Sequence, residues 1–221
     1  MQRALTLYET SIGKKVAMAA SGVVVVGFAI GHMAGNLQVY IGRAEYNAYA
    51  EMLKGNLPLL WGTRIVLLLA FGTHIYTGIT LGLKKKAARP VQYKVKPDIA
   101  ADYASKTMYL TGPMLLLFLL FHLATLTLGA TPGGMTFDPH DAYSNMVGGF
   151  THPWISAIYI LGMIALGMHL FHGVYSIFQS LGLNHPRYNA FRRDLSIGVA
   201  TLVTLGNISF PVAVMTGYLT L

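Results

Sequence analysis

The 221-residue chain has no cysteine and only eight acidic residues. Missing thiols exclude disulfides, thiolate zinc sites, cysteine-held iron–sulfur clusters and the C-x-x-C-H attachment of c-type haem. Any metal must rest mainly on histidine, methionine or carboxylate. Charge of either sign is scarce. Charged residues make up 11% of the chain and hydrophobic ones 54%, whereas soluble domains carry about 25% charged residues. With a mean hydropathy of +0.51, this composition suits lipid as the solvent. The formal net charge of +8 would suggest a nucleic-acid patch in a soluble protein. Here the basic residues fall between apolar runs, and membrane topology accounts for them.

Spanning a bilayer takes about 20 mainly apolar residues. Five segments qualify: 16–40, 59–83, 106–129, 154–182 and 196–220. Each must be helical, because an open strand cannot satisfy its backbone in lipid. The expectation is an all-α membrane protein, one domain over 1–221. The first apolar run follows Lys14 and Lys15 but continues past residue 35 without an Ala-x-Ala site, so it reads as a retained span and not a signal peptide. No lipidation signal is apparent.

Lysine and arginine set direction. The N-terminal segment holds Arg3, Lys14 and Lys15. The second connection holds Lys84, Lys85, Lys86, Arg89, Lys94, Lys96 and Lys106, and the fourth holds Arg187, Arg192 and Arg193. The third connection, around Gly133, Asp138 and Asp141, has none. A cytoplasmic N-terminus and an external C-terminus follow. The 84–106 connection is a candidate surface for lipid headgroups or a soluble partner.

Five of the eight histidines fall inside spans: His32, His74, His122, His169 and His172. An ionisable group at membrane depth is costly and marks a functional site. One alone would read as a helix–helix hydrogen bond, but each of the first four spans carries at least one. At 1.5 Å per residue, His32 lies about 25 Å beyond Lys15 and His122 about 24 Å beyond Lys106. His74 lies about 15 Å before Lys84, and His169 about 20 Å before Gly182. His32 with His122 therefore forms an outer level, and His74 with His169 an inner one. Two imidazole pairs suit two bis-histidine haems of b type. Iron bound on both faces has no open position for oxygen, so its role is electron transfer.

Depth alone does not separate His169 from His172, which lies about 15 Å in. The pattern His-x-x-x-Gly does: His74 precedes Gly78 and His169 precedes Gly173 by four residues, on one helix face. Glycine there admits a flat ring against the backbone. His172, about 60° round the helix, is a candidate for contact with a propionate or quinone. Gly27, Gly31 and Gly35, at four-residue spacing, read first as helix packing and second as clearance for a haem. The 11 methionines are scattered and read as core.

The stretches His32-Met-Ala-Gly-Asn-Leu-Gln38, Glu45-Tyr-Asn-Ala-Tyr-Ala50 and His169-Leu-Phe-His-Gly-Val-Tyr-Ser-Ile-Phe-Gln-Ser-Leu-Gly182 resemble the cytochrome b membrane anchor of succinate:quinone oxidoreductases. The type is the five-helix, di-haem anchor of succinate dehydrogenases and fumarate reductases. The resemblance covers nearly the whole chain. It implies a four-helix haem-binding bundle with a fifth helix alongside, and ligation by His32 with His122 and by His74 with His169. It implies a flavoprotein with FAD and an iron–sulfur protein as cytoplasmic partners, menaquinone as substrate, and residence in a bacterial inner membrane.

Some fumarate reductases of this type carry a proton-transfer glutamate two residues before the fourth ligand; this chain has Gly167. Glu45 and Glu51 are candidates for quinone protonation. Arg64, Asn36 and Gln38 are candidates for hydrogen bonds to a quinone ring or a propionate. The chain itself shows no dinucleotide fingerprint and no soluble domain for FAD. Competing expectations are the b-haem subunit of a formate dehydrogenase or hydrogenase, and a haem-free transporter with a histidine proton relay.

Overall fold

A computed structural model describes residues 9–88 and 103–221. The Arg3 position and much of the basic second connection, including Arg89, Lys94 and Lys96, lie outside the described residues. The helices are α1 (Ser11–Asn36), α2 (Arg43–Gly55), α3 (Leu57–Ala87), α4 (Tyr103–Leu126), α5 (Ala142–Phe150), α6 (Pro153–Ser180) and α7 (Asn189–Met215). Among the described residues, five helical segments are long and apolar enough to cross a membrane: Ser11–Tyr40, Leu57–Ala87, Lys106–Leu126, Pro153–Ser180 and Pro186–Met215. The protein is a multi-pass, all-α membrane protein.

Local chemistry sets the ends. Thr10 caps α1 by accepting from the Gly13 N–H at 2.9 Å. The Asn56 side chain caps α3, accepting from the Leu59 N–H at 3.1 Å, and Pro58 occupies the first turn, where no N–H is needed. At the other end of α6, Gly182 takes φ +78°, a left-handed conformation that glycine adopts without a Cβ penalty.

Two connections on the side opposite the N-terminus, here the far side, carry the short helices α2 and α5. The fifth long helix begins seven residues earlier than hydropathy suggests. Arg192 and Arg193 therefore lie in its first turns, and Arg192 is buried, 1% exposed. Its guanidinium donates to Asn184 Oδ1 at 2.8 Å and to Asn189 Oδ1, and stands 4.9 Å from the Tyr175 ring centre. Neighbouring amides and a ring thus hold a charge that hydropathy alone would place in a loop.

The long helices form a square. α1 packs along α3 and α6, and α4 along α6. α3 meets α4 where Gly82 faces the Tyr109 ring. Around the square the order is α1, α3, α4, α6. So α1 and α4 oppose each other on one diagonal, and α3 and α6 on the other. α7 lies along the outside of α6. Gly167 belongs to that α6–α7 seam, where any Cβ would strike the Thr204 hydroxyl.

A buried cluster of Val39, Tyr46, Met135, Tyr143, Phe150 and Phe210 seals the far side. Asp141 fastens it. Its carboxylate caps α5 through the Ser144 N–H at 3.0 Å, accepts from Asn47 of α2 at 2.9 Å and pairs with Arg43. Partial burial raises the Asp141 pKa, but the hydrogen bonds from Ser144, Asn47 and Arg43 outweigh it and hold the carboxyl well below its usual range. An unfolded aspartate titrates near 3.9. A carboxyl depressed below that value stabilises the fold fully above about pH 4, and the benefit is lost as pH falls through the folded pKa. Asp141→Ala is expected to cost about 1–2 kcal/mol in thermal unfolding at pH 7. The gap to the parent should narrow when the measurement is repeated below about pH 4.

Candidate functional site

The long helices are apolar on most faces, yet four intramembrane imidazoles turn inward and meet across the diagonals. His32 of α1 and His122 of α4 have ring centroids 5.8 Å apart with planes at 85°. His74 of α3 and His169 of α6 have centroids 6.1 Å apart at 61°. Met18 and Gly22 of α1 lie against His74, and His32 is 14 and 10 residues further along. The two pairs are therefore about 15–21 Å apart along the bundle.

Each pair has a polar setting built from its own helices. His74 donates from Nδ1 to the Met18 carbonyl at 3.3 Å. Thr111 gives its proton to Thr107 O, so its oxygen is available to His169 Nδ1 at 3.4 Å. Thr125 likewise donates to Phe121 O. Tyr159 can then donate to Thr125 at 3.4 Å and accept from His122 Nδ1 at 3.2 Å. In these three histidines a neighbour engages Nδ1 and leaves the Nε2 lone pair for another partner. That is the usual state of a metal-binding imidazole, whose second ring N–H is anchored by a carbonyl, hydroxyl or carboxylate.

His32 differs. Asn36, one turn on, donates to its Nε2 at 3.3 Å, and the Tyr46 hydroxyl donates to Asn36 Oδ1 at 2.9 Å. Burial, with Tyr49 adding to it, pushes the Tyr46 phenol up, so it remains a proton donor. Phe28 stacks on the His32 ring at 5.2 Å, and Phe118 on His122 at 6.0 Å.

These pairs fit a haem better than a bare ion. Among the described residues no group of three or more His, Cys, Asp or Glu could hold a metal, and zinc sites need at least three protein ligands. A porphyrin supplies four equatorial nitrogens and needs two axial ones. With metal–nitrogen bonds of about 2.0–2.1 Å, imidazoles on opposite faces of one metal have centroids roughly 6–6.5 Å apart. The observed 5.8 and 6.1 Å lie close to that separation. A Cβ at Gly27, Gly31, Gly78 or Gly173 would meet nothing within 4 Å, so these positions are open. Gly35, by contrast, is pressed against Tyr49 and serves the contact between α1 and α2.

The remaining candidates make other contacts. His172 is hydrogen-bonded to Ser176 at 3.0 Å on its own helix. Glu51 pairs with Lys54 at 3.3 Å and His140 at 3.6 Å on the far-side surface. Glu45 is exposed in the first turn of α2. Gln38 lies in the short 3-10 turn after α1. Arg64 sits 5.1 Å from the Trp61 ring centre. Sequence reasoning missed Thr111, Thr125, Tyr159 and Tyr46. A hydroxyl three residues after His122 was the one available signal, since it is a short polar side chain within an apolar run.

The family described as succinate dehydrogenase/fumarate reductase transmembrane subunit matches residues 82–208, more than half of the chain. The chain belongs to this family. The matched region runs from the end of α3 through most of α7, and so includes His122 and His169. Neither the curated proteins nor the solved structures contain a match. As a transmembrane subunit of this family, the chain is a membrane component of a respiratory oxidoreductase.

Within the transmembrane subunit, the Tyr159 hydroxyl is the link between His122 and Thr125. Tyr159→Phe leaves both without that partner, and about 1–2 kcal/mol of stability should go with it. Thermal unfolding in detergent reads this directly; an unchanged midpoint would dissociate the hydroxyl from the network.

Proposed function

We propose that this transmembrane subunit is a di-haem cytochrome b anchor that carries electrons between an iron–sulfur partner and a membrane quinone. The observation that carries the reading is the meeting of four imidazoles in two pairs on the two diagonals, at two heights. His32 and His122 would hold the outer haem, and His74 and His169 the inner one. Bound there, a bis-imidazole haem supplies one-electron transfer and has no site for oxygen.

The chain's own groups then have defined tasks. Met18 O, Thr111 and Tyr159 fix the tautomers of His74, His169 and His122, leaving Nε2 to bind. Gly78 and Gly173, each four residues past an inner histidine, leave room for a flat ring. Phe28 and Phe118 hold the outer rings by stacking and exclude water. The Lys84–Lys86 cluster ends α3 on the side of the N-terminus. By the positive-inside rule that side is cytoplasmic, which suits an iron–sulfur subunit and an FAD-bearing flavoprotein seated there. The membrane would be a bacterial inner membrane.

Quinone reduction takes up two protons. Menaquinone is the expected substrate, and Glu45 and Glu51 on α2 are the proposed groups for its protonation. Glu45 is the stronger, since Lys54 and His140 already engage Glu51. A proton path through position 167 has no support. The glycine there faces Thr204, and a glutamate Cβ would meet that hydroxyl, so the threonine side chain would have to turn away.

The test is a reduced-minus-oxidised spectrum of the purified complex with each histidine replaced in turn. His32→Ala or His122→Ala should remove one haem, and His74→Ala or His169→Ala the other, leaving about half of the b-type absorbance in each case. His172→Ala should retain both. Retention of both haems in His169→Ala with loss in His172→Ala would reassign the fourth ligand. Absence of b-type absorbance in the parent would overturn the reading.

A further inference from the structure

Arg64 is a permanent cation inside a membrane-crossing helix, seven residues from the start of α3. An intramembrane charge is rare and faces a partner or a polar cavity. Its recorded contact is the Trp61 ring, and among the described residues no carboxylate pairs with it. Its face and height can both be read from α3. Eighteen residues make five turns, so Arg64 projects in the same direction as Gly82, which faces Tyr109 of α4. Arg64 therefore borders the α3–α4 side of the square. It precedes His74 by ten residues, about 15 Å along the helix towards the far side. That is the height of the His32–His122 pair.

We infer that Arg64 is the counter-charge to the carboxylates of the outer haem, an inference that rests on the di-haem reading above. A porphyrin of this type brings two propionates into the membrane. Among the described residues Arg64 pairs with no carboxylate, and it stands at the height of the His32–His122 pair that would hold that haem. A guanidinium also favours the reduced state of that haem, because reduction adds a negative charge and attraction between charges is strong in a low dielectric. Arg64 is thus a positioning residue that also sets potential. The competing role for the same cation is to reach past Trp61 to a lipid phosphate.

The experiment is a spectroelectrochemical titration of the purified complex carrying Arg64→Gln or Arg64→Lys. In Arg64→Gln the outer haem should lose about tenfold in its reduced-to-oxidised ratio at the parent's midpoint, a shift of about 59 mV for one electron. The inner haem should not move, and Arg64→Lys should restore most of the change. Unaltered potentials of both haems in Arg64→Gln would overturn the assignment, the more so with loss of co-purified anionic phospholipid. The parent's spectrum separates this failure from failure of the di-haem reading, since a parent with two haems leaves that reading intact.

Discussion

Everything in this bundle depends on a constraint that lipid imposes on imidazole. A ring nitrogen placed among aliphatic side chains must find a partner, because water is not there to supply one. The chain meets this demand twice over. Backbone or hydroxyl oxygens engage one nitrogen of His74, His122 and His169, and the rings then face each other in pairs across the helix square. A set of four histidines serving only helix packing would have no reason to converge on both diagonals.

The rest of the fold keeps those diagonals fixed. α7 backs α6 along its length, with Leu170, Ala200 and Val203 buried in the seam, so the helix that bears His169 and Tyr159 is held from outside the square. At the far side, α2 and α5 are clasped by Asp141, Asn47 and Arg43. Tyr46 extends that clasp towards His32 through Asn36. The outer pair is therefore tied to a surface structure, whereas the inner pair is set among the helices alone. This difference gives the two levels unlike surroundings; with haems bound as proposed, second-shell hydrogen bonds and burial would separate their potentials.

The helical architecture was legible in the sequence because hydrocarbon thickness fixes span length and charge marks the ends. The heights of the four histidines were legible for the same reason: lysines and glycine at known positions serve as rulers. What escaped was set by tertiary contact. The early start of α7 depends on burying Arg192 among Asn184, Asn189 and Tyr175, and no hydropathy window can foresee that. The helical form of α2 and α5 rests on packing against the far-side core. Gly35 and Gly167 look in sequence like Gly27 or Gly31, yet the first meets Tyr49 and the second Thr204. Glycine spacing alone cannot say which partner a helix presents. The hydroxyl partners of His122 and His169 lie on the same helix as neither ring's own sequence neighbours would suggest: Tyr159 is 37 residues from His122, and Thr111 is 58 from His169.

The most direct measurement is haem stoichiometry combined with electron paramagnetic resonance of the oxidised, purified protein. Paired imidazoles at two heights predict two haems b per chain, both low-spin ferric, with no high-spin signal from an open coordination position. One haem per chain, or a substantial high-spin component in intact protein, would contradict the pairing on which the account is built.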